Sequence, residues 1–255
     1  MSERSRLSQT ELLQLRRLTT PTVFNGWEQI TRHDPAADGF NLEPVTDFMP
    51  QFGPMVGYAV TAVIGVGDGD ASVLSDKTLS AWGEFRKYVA TAPGPKVVVV
   101  QDTSKPRVLG SMWGEIGATM YRNLGCVGTI TDGGVRDLAE MTAAGFKAMA
   151  RRLCVGHGYG SLLRWNCDVE VFGRAVRPGQ LIHADQHGFL AIPPEDEALL
   201  LEASVFMDRN ESGILAAAQN VEGLPADAHL ARIDDALNTC ISAARDRFGR
   251  AGEHT

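Results

Sequence analysis

The sequence predicts an α/β protein organised around parallel strands joined by crossover helices, and three stretches carry that prediction. Residues 96–100 (KVVVV) are apolar without alternation, the pattern of a strand covered on both faces. Between 115 and 125, Ile116, Met120 and Leu124 recur every four residues, Gly125 stops the run, and CVGTI at 126–130 follows as a strand, which makes one βαβ crossover. Residues 57–64 (GYAVTAVI) are rich in β-branched side chains and end at a glycine-rich loop, 65–70.

The remaining elements follow from local chemistry. SQTELLQLRRL at 8–18 has leucines at helical spacing, and Ser8 with Glu11 forms a capping-box pattern. Thr19-Thr20-Pro21 breaks that helix and a second is expected over 22–30, before an irregular excursion over 31–50. An amphipathic helix is expected over 79–90, a turn at Asp132-Gly133-Gly134, a short helix over 138–144 and a strand over 146–150. Residues 176–180 read as a turn, 181–184 and 188–192 as strands, and 195–208 and 227–247 as helices. No internal repeat or low-complexity tract is present. The glycines at 65–70 do not complete a dinucleotide motif, and no Glu closes a calcium loop there, so a plain turn is expected.

Composition excludes several classes. The chain has 255 residues, 44% hydrophobic and 22% charged, enough to bury a full core. Its net charge of -7 argues against a surface built to neutralise nucleic-acid phosphates. Cys126, Cys154, Cys167 and Cys240 form no CxxC pair and read as reduced, packed thiols. The N-terminal stretch lacks an apolar signal region, and no run of about 18 apolar residues occurs, so a cytoplasmic protein without a membrane partner is expected.

Gly114-Glu115 is followed, after twenty intervening residues, by Arg136-Asp137. Glu115 is expected to open the helix after the 97–100 strand, and Asp137 the helix after the 126–130 strand. In parallel βα units both turns lie at the carboxyl ends of the strands, where open α/β sheets bind ligands. The free amides of Ile116 and Gly117 suit an anionic oxygen, and Arg136 can clamp a carboxylate through two parallel hydrogen bonds. Asp137 and Glu115 offer hard oxygen donors suited to Mg²⁺ or Mn²⁺ rather than zinc. The same residues have plainer readings: Asp137-Leu138-Ala139-Glu140 is itself a capping pattern, Glu115 a first-turn acid, and Arg136 a surface ion-pair partner. Gly114, Gly133 and Gly134 fit either reading.

The acid, twenty residues, Arg-Asp spacing, together with GYAVTAVI, PGPKVVVVQD and VRPGQLIHADQHGFLAIPPE, resembles the RraA-like family, which includes 4-hydroxy-4-methyl-2-oxoglutarate aldolase. The resemblance covers roughly residues 10 to 200. It implies a layered α/β/β/α sandwich of the swivelling β/β/α type with terminal helices; a catalytic domain over 1–204 is expected, followed by a helical extension over 205–255 packed on the same or a neighbouring subunit. It further implies that Asp137 binds the divalent metal, Glu115 holds its waters, and Arg136 with Gly114 and the Ile116 and Gly117 amides binds the pyruvyl carboxylate. The activity implied is metal-dependent retro-aldol cleavage of a small 2-oxo acid to release pyruvate, with oxaloacetate decarboxylation as a side activity, in a homotrimer or homohexamer. Family members that only regulate ribonuclease E tend to lack the Asp after the Arg, which Asp137 supplies here. A regulator binding a ribonuclease or helicase remains the alternative.

Some positions depart from the family pattern. Phe24-Asn25-Gly26, Gln180 and His187 stand where other residues are usual, and Met112 and Trp113 make the turn before Glu115 bulkier than expected. His183 and His187 have HxxxH spacing but flank an expected strand turn, so surface histidines are the plainer reading. His157 sits in a Gly-rich loop that could line the pocket.

Overall fold

The structure is a computed structural model and describes residues 6–65, 76–157, 161–219 and 223–249. Beyond Gly65, the glycine-rich turn expected at 65–70 lies outside these residues. The helices are α1 (Gln9–Leu15), α2 (Thr20–Ile30), α3 (Pro35–Asp38), α4 (Asp76–Thr91), α5 (Glu115–Asn123), α6 (Leu138–Ala143), α7 (Glu197–Gln219) and α8 (Ala226–Phe248). The strands are β1 (Thr46–Asp47), β2 (Met55–Gly65), β3 (Lys96–Asp102), β4 (Ser111–Trp113), β5 (Cys126–Val135), β6 (Lys147–Leu153), β7 (Ser161–Trp165), β8 (Val169–Val171), β9 (Arg174–Val176), β10 (Leu181–Asp185) and β11 (Gly188–Ile192).

Two units divide the chain: Ala36–Pro193, which holds the strands, and Met1–Pro35 with Pro194–Thr255, whose described part is helical. In the first unit, nine strands form one mixed sheet in the order β1-β6-β5-β3-β2-β10-β11, with β4 added to β5 and β7 to β2. Strands β2, β3, β5 and β6 are mutually parallel, as the continuous valine run predicts. The two faces of that run meet different layers. Val98 and Val100 join Phe85, Val89, Ala118, Tyr121 and Met141 from α4, α5 and α6. Val97 and Val99 join Val169, Val171, Phe172 and Val176 of the β8–β9 hairpin and Ile182, Ala184, Phe189 and Ala191 of β10 and β11. Helix, sheet and second β layer bear out the α/β class, and each buried valine leaves water for an apolar neighbour on its own side.

Several elements differ from the sequence expectation. The Asp132-Gly133-Gly134 turn does not exist, because β5 runs through all three residues with a register shift against β6 between Thr131 and Gly134. These glycines serve close approach instead: a Cβ on Gly133 would lie 2.9 Å from Asp102 Oδ2, and one on Gly134 would lie 2.3 Å from Cys154 Sγ. The short β4 intervenes between β3 and α5, so Glu115 does not follow β3 directly. Helix α5 forms where its periodicity predicts, but it buries Ala118 and Tyr121 and leaves Ile116 79% exposed. The excursion over 31–50 contains α3 and β1, and β7, β8 and β9 had no counterpart in the sequence reading.

In the helical unit, the Ser8–Glu11 capping box forms and Thr19 caps α2, with Pro21 in its first turn. Helix α7 continues well past 208, so residue 204 lies inside it. Gly26 is the point of closest packing with α7, since a Cβ there would sit 2.4 Å from the Ser204 backbone. Asn25 Nδ2 donates to Glu211 Oε1 at 2.9 Å beside it. Phe24-Asn25-Gly26 therefore belongs to helix packing within this unit.

Candidate functional site

Strand β4 pairs parallel with the last residues of β5, Ser111 opposite Gly134 and Trp113 opposite Val135. The Arg136 amide then donates to the Trp113 carbonyl at 3.0 Å. Because the two strands run side by side in one direction, their carboxyl ends and the turns into α5 and α6 are neighbours. The structure thus brings Gly114, Glu115, Arg136 and Asp137 together.

Asp137 occupies the N-cap position of α6, yet its side chain makes no capping bond there. Its Oδ2 instead accepts the Glu115 amide at 3.1 Å and lies 3.5 Å from Arg136 Nε. The backbone of Asp137 is left-handed, φ 53° and ψ 46°, a conformation costing a non-glycine residue roughly 1 kcal/mol. That backbone turns the carboxylate away from its own helix and towards α5. Gly114 makes the approach possible: a Cβ there would fall 2.4 Å from Asp137 Oδ2 and 3.2 Å from Arg136 Nε. Arg136 also directs Nη1 at the Val155 carbonyl at 3.5 Å, and its side chain and that of Asp137 are each about one-third exposed.

The first-turn amides of α5 that follow Glu115, those of Ile116 and Gly117, have no intrahelical acceptor by their position, and they share the turn with Asp137 and Arg136. A carboxylate oxygen suits that place. Glu115 itself is exposed, and it is its amide, not its carboxylate, that meets Asp137. Among the described residues no group of three or more His, Cys, Asp or Glu side chains is gathered for a metal ion. The donors present are two carboxylates at most, a set that fits magnesium or manganese keeping most of its waters and does not fit a closed zinc site.

Other residues singled out by the sequence sit elsewhere. Trp113 is buried in the core against Tyr121 and Phe146, with ring centroids 5.2 and 4.9 Å away, and a Cβ on Gly117 would meet its ring at 3.5 Å, an ordinary contact distance. His183 is fully buried in β10, while His187 stands in the β10–β11 turn with Nδ1 3.0 Å from Asp185 Oδ1. A hairpin, unlike a helix, does not place residues four apart side by side on one face. His157 is exposed, and its backbone bridges Ser111, which brings its loop beside β4. Gln180 closes the Arg177–Gln180 turn, accepting the Arg177 amide at 3.0 Å and donating to the Ala191 carbonyl at 3.0 Å.

One charged cluster escaped the sequence reading. Asp132 is fully buried, and its carboxylate takes the Asp102 amide at 2.7 Å and the Lys105 ammonium at 2.8 Å. Burial raises its pKa, with the Lys105 and Asp102 contacts opposing that shift. An acid inside the apolar run TITDGG was the signal, hidden by the turn-like Asp-Gly-Gly.

Residues 21–191 match the RraA-like family, described as Aldolase/RraA. The chain belongs to the RraA-like family. This family includes both aldolases and ribonuclease E inhibitors. Among curated proteins, an uncharacterized protein of Methanocaldococcus jannaschii is 27% identical over 122 residues, 48% of this chain and 58% of its own length. Protein DlpA of Legionella pneumophila is 25% identical over 121 residues, 46% of this chain and 19% of its own length. The chain therefore spans only part of these relatives. Among solved structures, an uncharacterized protein of Pseudomonas syringae pv. tomato aligns with TM-score 0.68 at 19% identity, over 91% of this chain and 97% of its own. RraAS2 of Streptomyces coelicolor, described as an unusual member of the RNase ES inhibitor RraA protein family, aligns with TM-score 0.63 at 17% identity, over 81% and 96%. At these identities the structural likeness establishes the RraA-like fold. No helix among the described residues is long and apolar enough to cross a membrane.

Proposed function

We propose that this RraA-like protein is a divalent-metal-dependent lyase that cleaves a small 2-oxo acid, releasing pyruvate by retro-aldol reaction and able to decarboxylate oxaloacetate. The observation that carries the reading is the displacement of Asp137: a residue at a helix N-cap, held left-handed, spends its carboxylate on the neighbouring turn, where a glycine makes room for it. Strain of this kind clusters at functional sites.

Asp137, with Glu115 behind a layer of water, would hold Mg²⁺ or Mn²⁺, and the cation would supply positive charge that stabilises the enolate left by carbon–carbon cleavage. Arg136 fixes the pyruvyl carboxylate with a planar pair of donors, and the Ile116 and Gly117 amides take its remaining oxygen lone pairs. These contacts orient the scissile bond and cost no reorganisation during the reaction. The same reading makes the protein a cytoplasmic homotrimer or homohexamer. Ile116 and Val155, 79% and 99% exposed beside the site, support a neighbouring copy there, since a second subunit would remove them from water.

Pyruvate release measured with a coupled dehydrogenase, with and without added Mg²⁺, tests the proposal on 4-hydroxy-2-oxo acids and oxaloacetate. Metal-dependent release abolished by Asp137→Ala is expected. No release from any such acid overturns the lyase reading and leaves a regulator that binds a ribonuclease or helicase.

A further inference from the structure

The site turns depend on where β4 lies, and β4 is a three-residue strand at the end of the segment that leaves β3. The start of that segment is organised by Asp132. Its Oδ1 accepts the amide of Asp102, the last residue of β3, at 2.7 Å, and its Oδ2 meets Lys105 Nζ at 2.8 Å. Asp102 Oδ1 in turn accepts the Ser104 amide and hydroxyl at 2.9 and 2.6 Å, which bends the chain as it leaves the strand. Asp132 also sits within the register shift of β5, where the Gly133 amide turns to Thr131 Oγ1 at 3.0 Å and Arg151 Nε donates to the Asp132 carbonyl at 3.1 Å. Two residues later, Gly134 and Val135 pair with Ser111 and Trp113 of β4. One carboxylate therefore ties the departure of the β3–β4 segment to the irregularity in β5 that precedes Arg136 and Asp137.

Such a pair is a poor device for stability alone. Taking a carboxylate and an ammonium out of water costs about as much as their attraction returns, and apolar substitutes of similar volume are often neutral or better. Bulges beside functional sites re-aim the residues that follow.

We propose that Asp132 is a positioning residue, which, through its buried pairing with Lys105 and the Asp102 amide, holds β4 in register with β5 and so sets the contact between Glu115 and Asp137. The consequence for catalysis rests on the lyase reading; the consequence for geometry does not. Two variants test it: Asp132→Asn, which keeps an acceptor for the Asp102 amide and loses the charge, and Lys105→Met, which works from the partly exposed end and serves if the first fails to fold. Residue-resolved hydrogen exchange should show the Glu115 and Arg136 amides exchanging faster in both variants, while Val98 and Ile130 in the sheet core keep their protection. Alongside, kcat for metal-dependent pyruvate release should drop by up to about 100-fold per folded molecule, the scale of a 1 Å misplacement, and the Mg²⁺ concentration for half-maximal rate should rise. Unchanged exchange at Glu115 and Arg136, or acceleration spread evenly through the core, overturns the proposal. If the parent protein releases no pyruvate, the lyase reading fails while the exchange result still decides the positioning.

Discussion

The main-chain amide of Glu115 donates to Oδ2 of Asp137 across 3.1 Å, so an acid placed to cap its own helix serves the helix beside it. This contact needs the open space at Gly114, where a Cβ would come within 2.4 Å of the same oxygen. Gly114→Ala should therefore push Asp137 aside. Metal-dependent turnover is expected to fall about 100-fold. Gly114 has an extended backbone that alanine can adopt, so the thermal midpoint should move little. A variant with ordinary activity would separate the Asp137 position from function.

Arg136→Lys should weaken substrate binding about tenfold, because an ammonium cannot offer the two parallel hydrogen bonds of a guanidinium. A higher KM for the 2-oxo acid, with the melting curve unchanged, is the expected result. Arg136 is part-exposed and its 3.5 Å approach to Asp137 is loose, so its loss should cost little stability.

Asp132 makes stability depend on pH in an unusual direction. Burial holds its pKa above that of the unfolded chain, about 3.9. Between the unfolded and the folded value, the native state carries a proton that the unfolded state lacks, so stability contributed by this group falls as pH rises through that window. Asp132→Asn should flatten this slope in urea titrations run from pH 4 to pH 7. A steeper slope in the variant would refute the assignment.

Burial pushes the Cys126 thiol up to about 12, leaving essentially no thiolate at neutral pH. Cys167 is only half-buried. Alkylation of the native protein followed by peptide mapping should label Cys167 and spare Cys126 until denaturant is added.

Gly26→Ala would drive a methyl into the Ser204 backbone of α7. A loss of roughly 1–3 kcal/mol in urea unfolding is expected from overpacking, with turnover per folded molecule retained.

What the sequence by itself determined is local. The valine run at 97–100 announced a doubly covered strand, the Ser8–Glu11 box a helix start, and Gly125 a helix stop, each because neighbouring residues within a turn or two satisfy or deny backbone hydrogen bonds. The spacing between Glu115 and Arg136-Asp137 was also readable, since both turns follow strands that point the same way.

Only the tertiary structure decided what these residues do. It showed that Asp-Gly-Gly at 132–134 continues a strand, where the glycines make room for Asp102 and Cys154, residues distant in sequence. It also exposed the Ile116 side of α5, buried Trp113, paired Asp132 with Lys105, and turned Asp137 from α6 to α5. Each of these outcomes is set by strand register and by contacts between residues distant in sequence, and a one-residue change of register reverses which face a side chain meets.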